Sequence, residues 1–177
     1  MKDQELVVLT RDRRSGVINK IVAREKDLAL TRSGSIPHPV RVLVADDCEM
    51  DRELTIMHLG NACPFERDMV VECATNGIEA LVKLRKSRFA LAVLDWNLPH
   101  VGGRELLRTM RRNGMSLPVV VLSAQSREDI ATDLESLAAS FTQKNELSPI
   151  RFCSAIAVSL QLQGVMWKDE RLQGMVL

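Results

Sequence analysis

Four short apolar runs and a weaker, half-polar fifth alternate with helical spacings through the middle of the chain, and three of the apolar runs stop on side-chain oxygens. Leu91-Ala92-Val93-Leu94 ends on Asp95, Val42-Leu43-Val44-Ala45 on the pair Asp46-Asp47, and Val119-Val120-Val121-Leu122 on Ser123. Apolar runs of this length, bounded by turn residues, read as buried strands. Strands joined by single helical crossovers form a parallel sheet with helices on both faces. Right-handed crossovers then gather the strand ends along one edge, where open α/β sheets bind their ligands. Asp46, Asp47, Asp95 and Ser123 are therefore expected together.

The chain divides into an extension and linker over 1–39, a main domain over 40–163 and a tail over 164–177. In the extension, Leu6 to Leu9 reads as a short strand, Gly16 to Leu30 follows helical spacing in part, and Ser33 to Pro39 reads as a linker. Val40 to Ala45 is the first strand of the main domain. Met50, Leu54 and Met57 mark one face of the next helix, which stops near Gly60 and Pro64. Met69 to Ala74 forms the second strand, and Asn76-Gly77 opens the helix through Leu84. After Asp95, Pro99 fixes φ and Gly103 is expected to allow φ > 0. A helix through Leu106, Leu107 and Met110 follows, with Arg111 and Arg112 favourable against its dipole. Ser126 and Asp129 pattern as a cap ahead of Ile130, Leu134 and Leu137. Ser140 to Gln143 is a short fifth strand. Ser148-Pro149 starts a last helix carrying Cys153, Ile156, Ala157 and Leu160.

Composition removes several functions. With 177 residues, 46% hydrophobic, and a net charge of +1, the chain has a core and no strong field toward nucleic acid or membrane. Aromatic residues are 3% with no tyrosine, which disfavours a base-stacking surface. The four cysteines lack metal-ligand spacing, and His38, His58 and His100 are scattered. Without a signal pattern or a long apolar run, the expected location is cytoplasmic.

Carboxylates crowded into one crevice raise one another's pKa, and a divalent cation resolves the conflict. Mg²⁺ suits oxygen ligands and sites that also receive phosphate oxygens. Such a site leaves Asp95 as a nucleophile toward a phosphoryl group, with Ser123 as hydroxyl donor and Lys144 as a second positive charge.

In this order and spacing, Asp46-Asp47, Ala74-Thr75-Asn76-Gly77, Leu94-Asp95 with Pro99 and Gly103, Ser123 and Lys144 resemble the receiver domain of two-component response regulators. The resemblance implies a flavodoxin-like (CheY-like) α/β fold with five parallel strands in the order 2-1-3-4-5. It implies a bacterial single-domain response regulator that accepts a phosphoryl group on Asp95 from a histidine kinase or phosphotransfer protein. Asp46, Asp47, Asp95 and the backbone carbonyl of Asn97 would hold Mg²⁺, Ser123 and Phe141 would form the switch, and Lys144 would contact the phosphoryl group. Output would then be binding to a downstream protein, phosphorelay or a homodimer. Enzyme activity would be limited to Mg²⁺-dependent self-phosphorylation and self-dephosphorylation. Three positions depart from the family pattern: Asn145 replaces a proline that follows a cis bond, Leu137 replaces a glycine, and Ser123 replaces the commoner threonine. A non-proline cis bond costs about 2.5–4 kcal/mol, which leaves the isomer of the Lys144-Asn145 peptide open, and a trans bond would aim the lysine differently. Asn145 and Leu137 support an alternative, a phosphorylation-independent interaction module with an altered output face. A phosphatase of the haloacid dehalogenase type is disfavoured because Asn97 occupies the second acidic position of its Asp-x-Asp pattern.

Overall fold

A computed structural model of the protein describes residues 5–11, 17–24, 40–62 and 68–164. The strands are β1 (Glu5–Arg11), β2 (Ile18–Arg24), β3 (Val40–Ala45), β4 (Met69–Ala74), β5 (Leu91–Asp95), β6 (Val119–Ser123) and β7 (Ser140–Gln143). The helices are α1 (Glu49–Ala62), α2 (Gly77–Lys86), α3 (Gly103–Arg112), α4 (Arg127–Ser136) and α5 (Pro149–Leu162). All strands belong to one sheet in the order β2-β1-β4-β3-β5-β6-β7. Its last five strands are parallel and reproduce the expected 2-1-3-4-5 order.

Alternation along the strands divides the core into two layers. Leu43, Ala45, Ala92, Leu94, Val119 and Val121 face α2, α3 and α4, meeting Ala80, Leu106, Leu107, Met110, Ile130 and Leu134. Val42, Val44, Leu91, Val93, Val120 and Leu122 face α1 and α5, meeting Ile56, Leu59, Phe152, Ile156 and Leu160. Successive strand side chains point to opposite faces, so strands covered on both sides read as continuous apolar runs.

The sheet is wider than the sequence suggests. Ile18–Arg24 is a strand rather than a partial helix, and it pairs antiparallel with β1 from Glu5↔Arg24 to Arg11↔Ile18. β1 in turn pairs antiparallel with β4 through Val7↔Val71, Val8↔Val70 and Leu9↔Met69. The apolar edge of β4 is thereby covered, which removes a template for edge-to-edge pairing. Lys20 of β2 forms an ion pair with Glu53 of α1. The linker expected over 33–39 lies outside the described residues.

Helix faces are also corrected. On α1, Ile56 and Leu59 are buried, while Met50, Leu54 and Met57 are exposed. Both sets satisfy the helical period, and docking against α5 and the sheet selects the first. On α5 the buried residues include Phe152 and Ala155 beside Ile156 and Leu160, and Cys153 and Ala157 are only half-buried. Among the described residues no helix is long and apolar enough to cross a membrane.

The turn from α4 to β7 is fastened by one guanidinium. Arg111 donates through Nε to the carbonyl of Leu137 (2.8 Å), through Nη1 to those of Met115 (2.7 Å) and Leu117 (3.0 Å), and through Nη2 to that of Ala138 (3.1 Å). Gln163 Nε2 also reaches the Ala138 carbonyl at 3.1 Å. Burial pulls the Arg111 pKa down, though the group stays charged. Leu137 keeps a negative φ, and the left-handed residue is Ala138, with φ 48°. A left-handed conformation costs an L-residue roughly 1–2 kcal/mol, which the Arg111 bonds offset. Ala138→Gly is expected to raise stability by about 0.5–1 kcal/mol after the added chain entropy of glycine. Arg111→Met is expected to lower it by about 2–4 kcal/mol because several carbonyls lose their donor. Urea denaturation of both variants measures these changes.

Candidate functional site

Three strand ends build the site. β3 and β5 are neighbours in register, Ala45↔Leu94, so Asp46 and Asp95 leave adjacent strands at one level. β6 follows β5 with Asp95↔Leu122, which places Ser123 at the next strand tip. Asp46 is 2% exposed, Asp95 5% and Ser123 0%, whereas Asp47 is exposed. One carboxylate oxygen from each of Asp46, Asp47 and Asp95 lies within 4.8 Å of the others.

Lys144 supplies the counter-charge. It opens a single 3₁₀ turn, Lys144–Glu146, directly after β7. Its Nζ lies 2.8 Å from Asp46 Oδ2, 2.7 Å from Asp51 Oδ2 and 3.1 Å from Asp95 Oδ2. Burial alone would lower the Lys144 pKa. The hydrogen bonds to Asp46 and Asp51 and the nearby Asp95 charge outweigh it, raising the pKa well above the usual lysine value. Burial, assisted by the Asp95 charge, pushes the Asp46 carboxyl above its usual range, against the Lys144 bond and the Cys48 amide, which donates to Asp46 Oδ1 at 2.9 Å. The peptide after Lys144 is trans, as no described peptide is cis.

The surrounding loops hold the acids in place. Arg52 Nη1 donates to the carbonyls of Asp46 (2.8 Å) and Asp47 (3.0 Å). The Asn97 amide donates to Asp95 Oδ1 at 3.2 Å. Gly103 does not adopt a positive φ; that conformation falls on His100, φ 64°. Glycine is required at 103 for space, because a Cβ there would sit 2.4 Å from the Asp95 carbonyl oxygen. At Gly77 a Cβ would sit 2.0 Å from the Val101 carbonyl oxygen, so α2 starts against the loop that follows Asp95. Asn76 caps α2, its side chain accepting from the Glu79 amide at 2.9 Å.

Asp46, Asp47, Asp95 and Lys144 thus converge. Ser123 is adjacent, but its Oγ accepts from the Gln125 amide at 3.0 Å within its own loop. Phe141 is half-buried on β7 and packs against the α2–α3–α4 layer. Sequence reasoning missed Asp51 and Arg52, because acids in a first helical turn are common and nothing along the chain marks this one as reaching Lys144. The three clustered carboxylates, all oxygen donors of the kind Mg²⁺ prefers, fit a dication chemically.

Residues 42–156 match the family described as response regulator receiver domain. Over 87 residues the chain is 36% identical to the transcriptional regulatory protein TctD of Salmonella typhimurium, covering 49% of this chain and 37% of that protein. Over 93 residues it is 33% identical to sensor protein EvgS of Escherichia coli O157:H7, covering 52% of this chain and 7% of that protein. The chain therefore spans well under half the length of these relatives. Among solved structures, the receiver domain of the Francisella response regulator 1452 is 26% identical with a TM-score of 0.56, covering 70% of this chain and 98% of that one. The bacteriophytochrome response regulator AtBRR is 27% identical with a TM-score of 0.59, covering 75% and 98%.

The charge balance yields a pH prediction. Removing Lys144 leaves Asp46 and Asp95 buried without a cation, so Lys144→Met is expected to cost about 2 kcal/mol at pH 7. A carboxyl whose folded pKa is raised above 3.8 destabilises the fold where it is ionised, and that penalty is relieved as pH falls through the raised value. The deficit of Lys144→Met should therefore be smaller at pH 5 than at pH 7, measured by urea denaturation at fixed ionic strength.

Proposed function

Since the chain belongs to the response regulator receiver domain family, we propose that Asp95 is its phosphoacceptor and that Asp46, Asp47, Asp95 and the Asn97 carbonyl hold Mg²⁺. Receiver domains are signalling modules rather than turnover enzymes. The observation that carries the reading is the meeting of Asp46, Asp47 and Asp95 oxygens within 4.8 Å, with the Lys144 ammonium 3.1 Å from Asp95.

An Asp95 oxygen attacks the phosphorus of a phosphohistidine presented by a histidine kinase or phosphotransfer protein. The O–P bond forms as the P–N bond breaks, and the imidazole leaves. Mg²⁺, when bound, screens the acids from the incoming phosphoryl charge. Lys144 turns toward the phosphoryl oxygens, and Ser123 exchanges its bond with the Gln125 amide for one to the phosphoryl group. Charge-assisted bonds of about 1.5–3 kcal/mol each approach the roughly 5.5 kcal/mol that inverts a 1:99 equilibrium. Phe141 follows Ser123 as the switch aromatic. Met50 and Leu54, exposed on α1, the helix that carries Asp51, offer an apolar footing for the donor. The output is binding to a downstream protein, phosphorelay or a homodimer.

A second reading has its own observation. The turn at Leu137–Ala138 is pinned by Arg111 and Gln163, which favours a preset output face that works without phosphorylation.

The test is incubation with a small-molecule phosphodonor and Mg²⁺, followed by intact mass. A hydroxylamine-labile phosphoryl mass gain is expected in the wild type and absent in Asp95→Asn. No gain with any donor would reject phosphoacceptance. Partner binding that is identical for wild type and Asp95→Asn would favour the preset module.

A further inference from the structure

Three carboxylates meet the Lys144 ammonium, and they are not equivalent. Asp46 and Asp95 belong to the group of acids that converge on one point, and both are buried. Asp51 does not belong to it. It sits in the first turn of α1, its side chain 39% exposed, and makes the shortest of the three contacts, 2.7 Å. Position in a first helical turn explains an acid there but not its direction, since the dipole is served wherever the side chain points. Asp51 turns onto a residue 93 positions away.

An ammonium has three protons to donate; here Asp46 and Asp51 accept hydrogen bonds and Asp95 adds an ion pair at 3.1 Å. A dication taking Asp46 and Asp95 competes for the lone pairs that Lys144 uses, and the two positive charges repel at that range. A lysine that relied on Asp46 and Asp95 alone would be left unpaired, with its side chain only 21% exposed. We propose that Asp51 is a positioning residue for Lys144: it holds the ammonium at the rim of the pocket while a divalent cation takes over Asp46 and Asp95. Lys144 thus stays charged, paired and within reach of Asp95 in both states. This role rests on the cation-site reading given above.

The full chain and the variants Asp51→Asn, Lys144→Met and the double substitution are titrated with Mg²⁺ alone at constant ionic strength. Two readouts are taken: the tryptophan emission, to which buried Trp96, directly after Asp95, contributes, and the rise of the unfolding midpoint with Mg²⁺. Asp51→Asn is expected to weaken Mg²⁺ binding about 5- to 10-fold when Lys144 is present and less than about 2-fold when it is absent. Asp51→Glu should restore most of the affinity, and Lys144→Met alone should tighten binding. Lys144→Gln run in parallel covers a folding defect in the methionine variant. Equal factors in both backgrounds would mean that Asp51 acts only as a remote negative charge, and the proposal would fall. Wild type that shows no Mg²⁺ response in either readout would overturn the cation-site reading and this inference together. A coupled cycle in a protein that takes no phosphoryl group on Asp95 would remove only the phosphoacceptor role.

Discussion

One ammonium makes the arrangement of acids possible. Asp46 and Asp95 leave adjacent strands at 2% and 5% exposure, where two like charges out of water are costly. Lys144 answers both, and it arrives from the far side of the sheet, 98 residues after Asp46. The bond therefore ties the first parallel strand to the last. A slip in the register of β7 would move Lys144 from the pocket and leave the acids uncompensated.

Close backbone approach does the remaining positioning. Gly103 lets α3 begin against the carbonyl of Asp95, and Gly77 lets α2 begin against that of Val101, so the loop after Asp95 is clasped between two helix starts. At the opposite end of α3, Arg111 gathers two carbonyls of the loop before β6, Met115 and Leu117, and two of the α4–β7 turn, Leu137 and Ala138. One helix thus links the loop after Asp95 to the turn that leads into β7, which is followed directly by Lys144.

The N-terminal hairpin adds a constraint outside the family-matched region. β1 extends the sheet by covering the edge of β4, and β2 carries Lys20 to Glu53 on α1. That same helix supplies Asp51 to Lys144 and Arg52 to the carbonyls of Asp46 and Asp47. The extension is therefore built onto the element that lines one side of the pocket.

Much of this was written in the order of residues. Apolar runs ending at Asp46, Asp95 and Ser123, separated by single helices, leave few topologies open, because parallel strands with right-handed crossovers present their ends on one edge. The same runs also fixed which strands are buried on both faces. Local spacing could not decide which stripe of α1 turns inward, since Met50-Leu54-Met57 and Ile56-Leu59 both satisfy the helical period; packing against α5 and the sheet chose. Nor could it show that residues 18–24 are a strand, because that conformation exists through pairing with β1. The role of Gly103 is spatial, set by the approach of α3, and the positive φ moved to His100. Asp51 was invisible for the same reason: a contact spanning 93 residues leaves no periodicity, and only the folded chain brings its two ends within 2.7 Å.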